Sequence, residues 1–352
     1  MLTNASGDLL HAGVDALVNT VNTVGVMGKG IALQFRRAYP EMFTAYAKAC
    51  KAGEVQLGHM HVWETGALGG PRFIINFPTK AHWRNPSQLA DIRSGLDDLI
   101  NVIREHHIAS IAVPPLGCGN GGLDWSEVEP LIRDAFQAVP EVDARVYAPA
   151  AAPRADQIVN ATPRPTMTVG RAALVSLIDR YTGVALGATP IEVQKLMYFL
   201  QTLGEPLRLN YVKHLYGPYA GNLRQVLDRV EKHFLVGYGD GSARVLDAEP
   251  IRAIPDAVVE ATAVLEREPA TTARVEQVLD LIDGFESMYG MELLASVHWV
   301  MASDAAAAED WQRTVSLVHE WSPRKRRMFT DDHIRTAWTA IHHHDSALFA
   351  CQ

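Results

Sequence analysis

The sequence predicts an α/β domain, with helices on both faces of a largely parallel sheet, followed by a mainly helical second domain that is either all-α or α+β. Three observations carry this expectation. The chain has 352 residues, which suits two domains of about 100–200 residues each. Short β-branched runs alternate with helical stretches up to residue 150, and mostly helical periodicity follows. Between Ala148 and Gly170 both periodicities stop, and Pro149, Pro153, Pro163 and Pro165 stand among Ala, Thr and Arg. Proline stiffens the backbone and removes donors, so this stretch reads as an extended linker. The expected division is a first domain over 1–150, a linker over 151–169 and a second domain over 170–352.

Taken in order, Ala16-Leu17-Val18, Met60-His61-Val62-Trp63, Arg72-Phe73-Ile74-Ile75, Ser110-Ile111-Ala112-Val113 and Ala144-Arg145-Val146-Tyr147 read as strands. Helical spacing runs near 28–52, 86–106 and 125–138, as in Ile92, Leu96, Leu99, Ile100 and Ile103. After the linker, Thr189-Pro190-Ile191-Glu192 supplies a cap, a proline at the first helical position and a capping-box glutamate. Val193, Leu196, Met197, Phe199 and Leu200, then Val226, Leu227 and Val230, form core faces of amphipathic helices.

Composition narrows the function classes. Apolar residues make up 48% and charged residues 20%, the usage of a folded globular protein. No apolar run reaches the roughly 18–20 residues of a membrane span, and the start lacks a basic flank before an apolar stretch. A soluble cytoplasmic protein without membrane contact is the expectation. Cys50, Cys118 and Cys351 are widely spaced without a Cys-x-x-Cys pair, which argues against both a disulfide framework and a structural zinc site. His342-His343-His344 reads as a solvated helix end, because consecutive helical residues point in different directions. A net charge of −8 excludes a protein that coats nucleic acid, since such binding comes mainly from Lys and Arg. The charge is uneven: residues 231–310 hold 5 basic and 16 acidic side chains, net −11.

The stretch Asn19-Thr20-Val21-Asn22-Thr23-Val24-Gly25-Val26-Met27-Gly28-Lys29-Gly30-Ile31-Ala32 follows one strand and opens a helix. Glycines let the backbone approach a ligand, and a helix N-terminus favours phosphate. On spacing alone, a plain tight turn competes with a diphosphate cradle. A second loop, Pro115-Leu116-Gly117-Cys118-Gly119-Asn120-Gly121-Gly122-Leu123, follows another strand and precedes a helix at Trp125. Two such loops at the carboxyl ends of parallel strands clamp one ligand in the crevice where open sheets bind nucleotides. A Walker site fits poorly because Gly30, not Ser or Thr, follows Lys29, and a dinucleotide dehydrogenase lacks its acidic residue about 20 positions on.

With the early Gly7-Asp8-Leu9-Leu10 segment, these loops resemble the macrodomain family, which binds ADP-ribose, in order and spacing over about residues 1–150. The resemblance implies a three-layer α/β/α fold with a mixed, mostly parallel sheet. It implies that Asp8, with Leu9 beside it, receives the adenine amino group, and that Tyr147 neighbours the adenine. It implies that Thr20 and the first loop, through Gly25, Met27, Gly28, Lys29 and Gly30, hold the phosphates while Asn22 faces the distal ribose. Gly117, Cys118, Gly119, Asn120, Gly121, Gly122 and Leu123 would close over the diphosphate. The chemistry is consistent: carboxylates accept, amides bind anions and side-chain amides bridge hydroxyls. Taken alone, Asp8 also fits a turn or helix cap, and Cys118, with no evident base partner, fits a small packing residue.

Binding becomes chemistry only with a reactive group, and the candidate is Lys80 in Asn76-Phe77-Pro78-Thr79-Lys80-Ala81-His82-Trp83-Arg84, read as a loop directly after the strand at 73–75. A loop lysine is ordinarily a solvated charge. Here Phe77, Pro78 and Trp83 suggest an ordered wall, and a lysine desolvated by it, or placed near Arg84, can lose its proton and attack carbon. This loop is similar to that of the DarG antitoxins, a macrodomain branch that cleaves terminal ADP-ribose with a lysine. That resemblance implies hydrolysis of the N-glycosidic bond between ADP-ribose and a base of single-stranded DNA, a repair reaction that needs no cofactor or metal. It also implies a toxin partner of the DarT type. Lys80 and Asn22 are the candidate catalytic residues, Lys80 as nucleophile or as electrostatic stabiliser of the departing base. Related lysine-using macrodomains carry an aspartate in the second loop, whereas here Asp124 comes after it.

Arg36, Arg37, Lys80, His82, Trp83 and Arg84 are candidates for a cationic and aromatic rim that contacts DNA; a buried Trp83 with solvated arginines is the competing reading. Gln194-Lys195-Leu196-Met197-Tyr198-Phe199-Leu200-Gln201 and His214-Leu215-Tyr216-Gly217-Pro218-Tyr219 resemble the toxin-neutralising domain of the same antitoxins. The acidic stretch at 231–310 offers a physical route, imitation of DNA in the toxin's basic groove; an ordinary solvated acidic face competes. Two other function classes stay open: a non-catalytic ADP-ribose reader, and a hydrolase of protein-linked ADP-ribose.

Overall fold

A computed structural model describes residues 1–67, 69–185, 187–243 and 247–344. The chain divides into two compact units, Met1–Pro163 with Asp240–Ser242, and Arg164–Gly239 with Ala243–Gln352. Cys351 lies outside the described residues.

In the first unit the order is β1 (Leu2–Ala5), β2 (Ala16–Asn22), α1 (Gly30–Ala38), α2 (Pro40–Ala52), β3 (His61–Glu64), β4 (Phe73–Lys80), α3 (Leu89–Glu105), β5 (Ser110–Val113), α4 (Trp125–Phe136) and β6 (Asp143–Tyr147). The strands form one sheet in the order β1-β6-β5-β2-β4-β3, parallel except for β3, which runs antiparallel along β4. Alternation along each strand produces the layers. Ala16, Val18, Phe73, Ile75 and Phe77 join a core with α3 and α4, while Leu17, Val21 and Ile74 join a separate core with α1 and α2. This is the three-layer mixed sheet implied by the sequence.

Four local differences have physical reasons. β1 has no apolar alternation of its own, and its pairing with β6 (Leu2↔Ala144 to Ala5↔Tyr147) makes it a strand. The helix expected over 28–52 is two helices, divided where Pro40 takes the first position of α2. β4 continues five residues past Ile75, to Lys80. Its register against β2 runs Val21↔Pro78 and then Asn22↔Lys80, so Thr79 is an extra residue and the strand tolerates Pro78 beside that bulge. The stretch expected as a free linker holds no helix before Val169, but its beginning packs: Ala155 and Ile158 are buried, and Ala161 N donates to Arg37 O at 2.8 Å.

The second unit is mainly helical: α5 (Val169–Val184), α6 (Pro190–Thr202), hairpin β7 (Tyr211–His214) and β8 (Gly217–Ala220), α7 (Leu223–Val230), short β9 (Leu235–Val236) and β10 (Arg252–Ala253), α8 (Pro255–Leu265), α9 (Pro269–Leu281), α10 (Met288–Ser303), α11 (Ala305–Glu309), α12 (Trp311–Trp321), α13 (Pro323–Met328) and α14 (Asp331–His343). The capping box opens α6 as expected. α10 is buried on nearly every side among α6, α12 and α14. The histidines at the end of α14 are not all solvated, since His342 Nε2 lies 2.6 Å from Ala308 O and its ring packs on Trp338. No helix among the described residues is long and apolar enough to cross a membrane.

Candidate active site

The carboxyl ends of β2 and β4 carry Asn22 and Lys80, which are register partners. The site therefore starts at the last rung of the two central strands, and Lys80 belongs to a strand rather than to the loop expected after Ile75. Lys80 is 9% exposed and its Nζ donates to Asn120 O at 2.7 Å. Burial pushes its ammonium below the ordinary lysine value of 10.5.

The first glycine loop is shaped by Asn22. Its Nδ2 donates to Val26 O at 2.6 Å, and its Oδ1 accepts from Val24 N at 3.1 Å and Val26 N at 3.3 Å. Both ends of the amide expected to face the distal ribose are thus engaged in holding the loop. Thr23 N and Oγ1 donate to Ala81 O at 3.3 and 2.8 Å, tying the loop to the end of β4. Tyr46 donates its hydroxyl to Asn22 O. Gly25 has φ +82, and a Cβ there would stand 3.4 Å from Cys50 Cβ, so this turn requires glycine. Met27 is buried under the loop, Gly28 and Lys29 are exposed and Thr20 is half-buried in β2. A Cβ on Gly30 would lie 3.3 Å from Asn120 Nδ2, so the start of α1 meets the second glycine loop.

The second loop folds on itself. Cys118 N donates to Pro115 O at 3.1 Å, Gly122 N to Gly119 O at 3.2 Å and Leu123 N to Gly117 O at 3.1 Å. Burial, with the carboxylate of Asp124 nearby, pushes the Cys118 thiol up to about 11, which leaves it unreactive as a nucleophile. Asp124 is the cap of α4, its Oδ1 accepting from Ser126 N at 2.8 Å and Ser126 Oγ at 2.7 Å. Its carboxylate belongs to that cap, and Lys80 is bonded to a carbonyl instead.

Ahead of β2, Asp8 caps a short 3₁₀ turn at Leu9–His11. Its Oδ1 accepts from Leu10 N at 2.9 Å and its Oδ2 lies 2.8 Å from His11 Nδ1. The cap reading of Asp8 is therefore the one its hydrogen bonds describe. Burial raises the Tyr147 hydroxyl, with the charge of Arg145 opposing and that of Asp8 adding to it. Leu9 itself is a core side chain.

The expected wall and rim need correction. Phe77 is fully buried beneath Gly95, where a Cβ would stand 2.3 Å from its ring. Arg37 is 2% exposed and its carbonyl holds Ala161. Arg36 is half-buried, lying over Phe43 at 4.9 Å. What remains is His82-Trp83-Arg84: Trp83 is 46% exposed, with Arg84 over its ring at 4.5 Å and His82 stacked at 5.3 Å. The buried-Trp83 reading is therefore wrong.

Sequence reasoning missed Asn76 and Ser87 and gave Asn19 no role of its own. Asn19 Nδ2 donates to Asn76 Oδ1 at 2.8 Å, and Asn76 Nδ2 lies 3.1 Å from His61 Nδ1, a buried amide pair under Met27. Asparagine disfavours central strands, and that anomaly was the available signal. Ser87 N donates to Gly121 O at 2.9 Å; Asn-Pro-Ser before a helix reads only as a cap. Among the described residues no cluster of His, Cys, Asp or Glu is arranged to hold a metal.

Comparison with known proteins adds the following. Residues 18–132 match the Macro domain family model. A Mycobacterium tuberculosis protein named DNA ADP-ribosyl glycohydrolase is 49% identical over 353 residues, 97% of this chain and 99% of that one. A Thermosipho africanus DNA ADP-ribosyl transferase-DNA ADP-ribosyl glycohydrolase fusion protein is 33% identical over 163 residues, 42% of each chain. The solved macrodomain of Mycobacterium tuberculosis DarG is 68% identical, covering 43% of this chain and 99% of its own, with a TM-score of 0.42.

Proposed function

Because this chain belongs to the DarG family of DNA ADP-ribosyl glycohydrolases, we propose that it removes ADP-ribose from DNA by hydrolysing the N-glycosidic bond to the base. The observation that carries this reading is Lys80: a buried amine, easier to deprotonate than an ordinary lysine, held at the strand end between two glycine loops. The loops hold the diphosphate through backbone amides, Asp8 and Tyr147 flank the adenine, and the distal ribose reaches Lys80.

As a neutral amine, Lys80 attacks the anomeric carbon. The carbon–nitrogen bond to the base breaks, its electron pair leaves with the base nitrogen, and that nitrogen takes a proton. Opening of the sugar ring converts the lysine adduct to a Schiff base and the ring oxygen to a hydroxyl. Water then adds to the imine carbon, Lys80 leaves as the amine, and the products are free ADP-ribose and unmodified DNA. If Lys80 acts only as a cation beside the leaving base, water attacks the anomeric carbon directly. The exposed His82-Trp83-Arg84 rim supplies an aromatic face and a guanidinium for the strand that carries the modified base.

Incubation of ADP-ribosylated single-stranded DNA with the protein should release ADP-ribose, and Lys80→Ala should not. Lack of release by the unaltered protein would sink the reading, and a modified-protein substrate run in parallel ranks protein-linked ADP-ribose against DNA. Borohydride trapping of the protein on its substrate distinguishes the Schiff base from the electrostatic role.

The second unit is the toxin-binding part in this reading, and the partner is a DNA ADP-ribosyl transferase of the DarT type. Its support is the charge of residues 231–310, net −11 from 5 basic and 16 acidic side chains, all but Asp240 in the second unit, against the basic groove that any DNA-modifying enzyme presents. The fused transferase and glycohydrolase of Thermosipho africanus place both activities on one chain there. Binding to the transferase should weaken with salt and with charge reversal across 231–310; indifference to both would remove the mimicry.

A further inference from the structure

The second glycine loop rests on one side chain whose hydrogen bonding is incomplete. Ser87 is 5% exposed, its backbone N donates to Gly121 O at 2.9 Å, and its Oγ has no hydrogen-bond partner among the described residues. Buried hydroxyls are ordinarily bonded, and one that is not calls for an explanation. The surroundings point toward the loop. A Cβ on Gly121 would stand 2.3 Å from Ser87 Oγ and equally 2.3 Å from Gly117 O, so the hydroxyl and that carbonyl flank one small gap. Gly117 O accepts from Leu123 N at 3.1 Å and keeps a second lone pair. A small movement of the loop brings Ser87 Oγ and Gly117 O into hydrogen-bonding geometry.

The same loop carries Asn120, whose carbonyl holds Lys80 Nζ at 2.7 Å and whose amide lies against the start of α1 at Gly30. Ser87, the Gly117–Gly122 segment, Lys80 and the first turn of α1 are therefore one continuous set of contacts. We infer that Ser87 is a positioning residue for Lys80: as the diphosphate seats between the two loops, the second loop settles onto Ser87. Its hydroxyl then donates to Gly117 O, and Asn120 is fixed against the amine. This rests on the proposed ADP-ribose reading of the site. It explains why a serine stands where alanine would fill the same space without an unbonded hydroxyl in the free protein.

The test is calorimetric titration of the full chain with ADP-ribose, beside thermal melting without ligand and release of ADP-ribose from DNA across pH, for the unaltered protein, Ser87→Ala and Ser87→Cys. Ser87→Ala is expected to melt at the same or a higher temperature, to bind ADP-ribose five- to tenfold more weakly, and to move the midpoint of the pH–rate limb set by Lys80. Ser87→Cys, with a weaker donor of similar size, is expected to bind between the two. Unchanged affinity in Ser87→Ala overturns the proposal, and so does a lower melting point together with weaker binding, which would make Ser87 a packing residue. Failure of the unaltered protein to bind ADP-ribose would remove the underlying site reading itself, a result separate from any difference between variants.

Discussion

Asn22 and Lys80 are register partners on the last rung of β2 and β4. Parallel strands stand about 4.8 Å apart, so the residue that shapes the first glycine loop and the buried lysine amine are set at a strand spacing by backbone pairing. In the proposed reading, a diphosphate anchored on one strand end sets the distal ribose at the other. The one-residue bulge at Thr79 makes Lys80 the partner of Asn22; an unbroken register would put Thr79 there.

Lys80→Ala is expected to lower kcat for release of ADP-ribose from DNA on the order of 10²–10⁴-fold while the protein still binds ADP-ribose. In the unaltered enzyme, activity should rise with pH through a limb whose midpoint lies below 10.5, because burial favours the neutral amine. Lys80→Arg keeps the charge and cannot form an imine. Retention of most activity by that variant would exclude the covalent route, and stopped-time assays across pH measure all three.

Asn22→Ala removes one donor to Val26 O and one acceptor for Val24 N and Val26 N. Val24 and Val26 are exposed, so each lost bond costs the ordinary net of about 0.5–1.5 kcal/mol and loosens the loop. ADP-ribose affinity measured by titration should fall at least tenfold, with a smaller loss of melting temperature because the strand beneath is unaltered.

Gly121→Ala meets backbone as well as the Ser87 hydroxyl, since its Cβ would stand 2.3 Å from Gly117 O and from Ser87 Oγ. The loop must shift, and ADP-ribose binding should be lost while the circular dichroism spectrum stays native. Binding equal to the unaltered protein would show that the second loop does not cover the ligand.

Trp83→Ala separates DNA recognition from ADP-ribose recognition. Base stacking on an aromatic ring is worth about 1–3 kcal/mol, so KM for ADP-ribosylated single-stranded DNA should rise roughly five- to hundredfold. The affinity for free ADP-ribose should not change, and equal KM values for both proteins would take Trp83 out of the DNA contact.

In the second unit, Glu292 holds two cations, Lys325 at 2.7 Å and Arg324 in a fork at 2.5 and 3.0 Å, all around the buried α10. Removing one partner of a buried pair costs about 3–5 kcal/mol, the expected loss for Glu292→Ala in urea unfolding. Burial, with Lys325 nearby, pushes Lys195 down to about 7, and burial pushes His298 down to about 4. Both groups bind fewer protons folded than unfolded, so stability rises with pH, between about 4 and 6.5 for His298 and between about 7 and 10.5 for Lys195. Lys195→Met should flatten the upper window in melting curves taken across pH.

By itself the sequence determined the alternating strand faces, the helical second half, both glycine loops and the lysine after Phe77-Pro78-Thr79, because these are written in neighbouring residues as periodicity and turn chemistry. Asn76 and Ser87 were missed, because neither carries a motif of its own in the sequence. The tertiary structure decided the bonding of the polar side chains. It placed Lys80 within a bulged strand, turned Phe77 and Arg37 inward, gave Asp124 to a helix cap and left Trp83 at the surface. The physical reason is that a polar group settles on partners that chain topology brings from far away: Lys80 meets Asn120, and Ser87 meets Gly121, only once the sheet has closed.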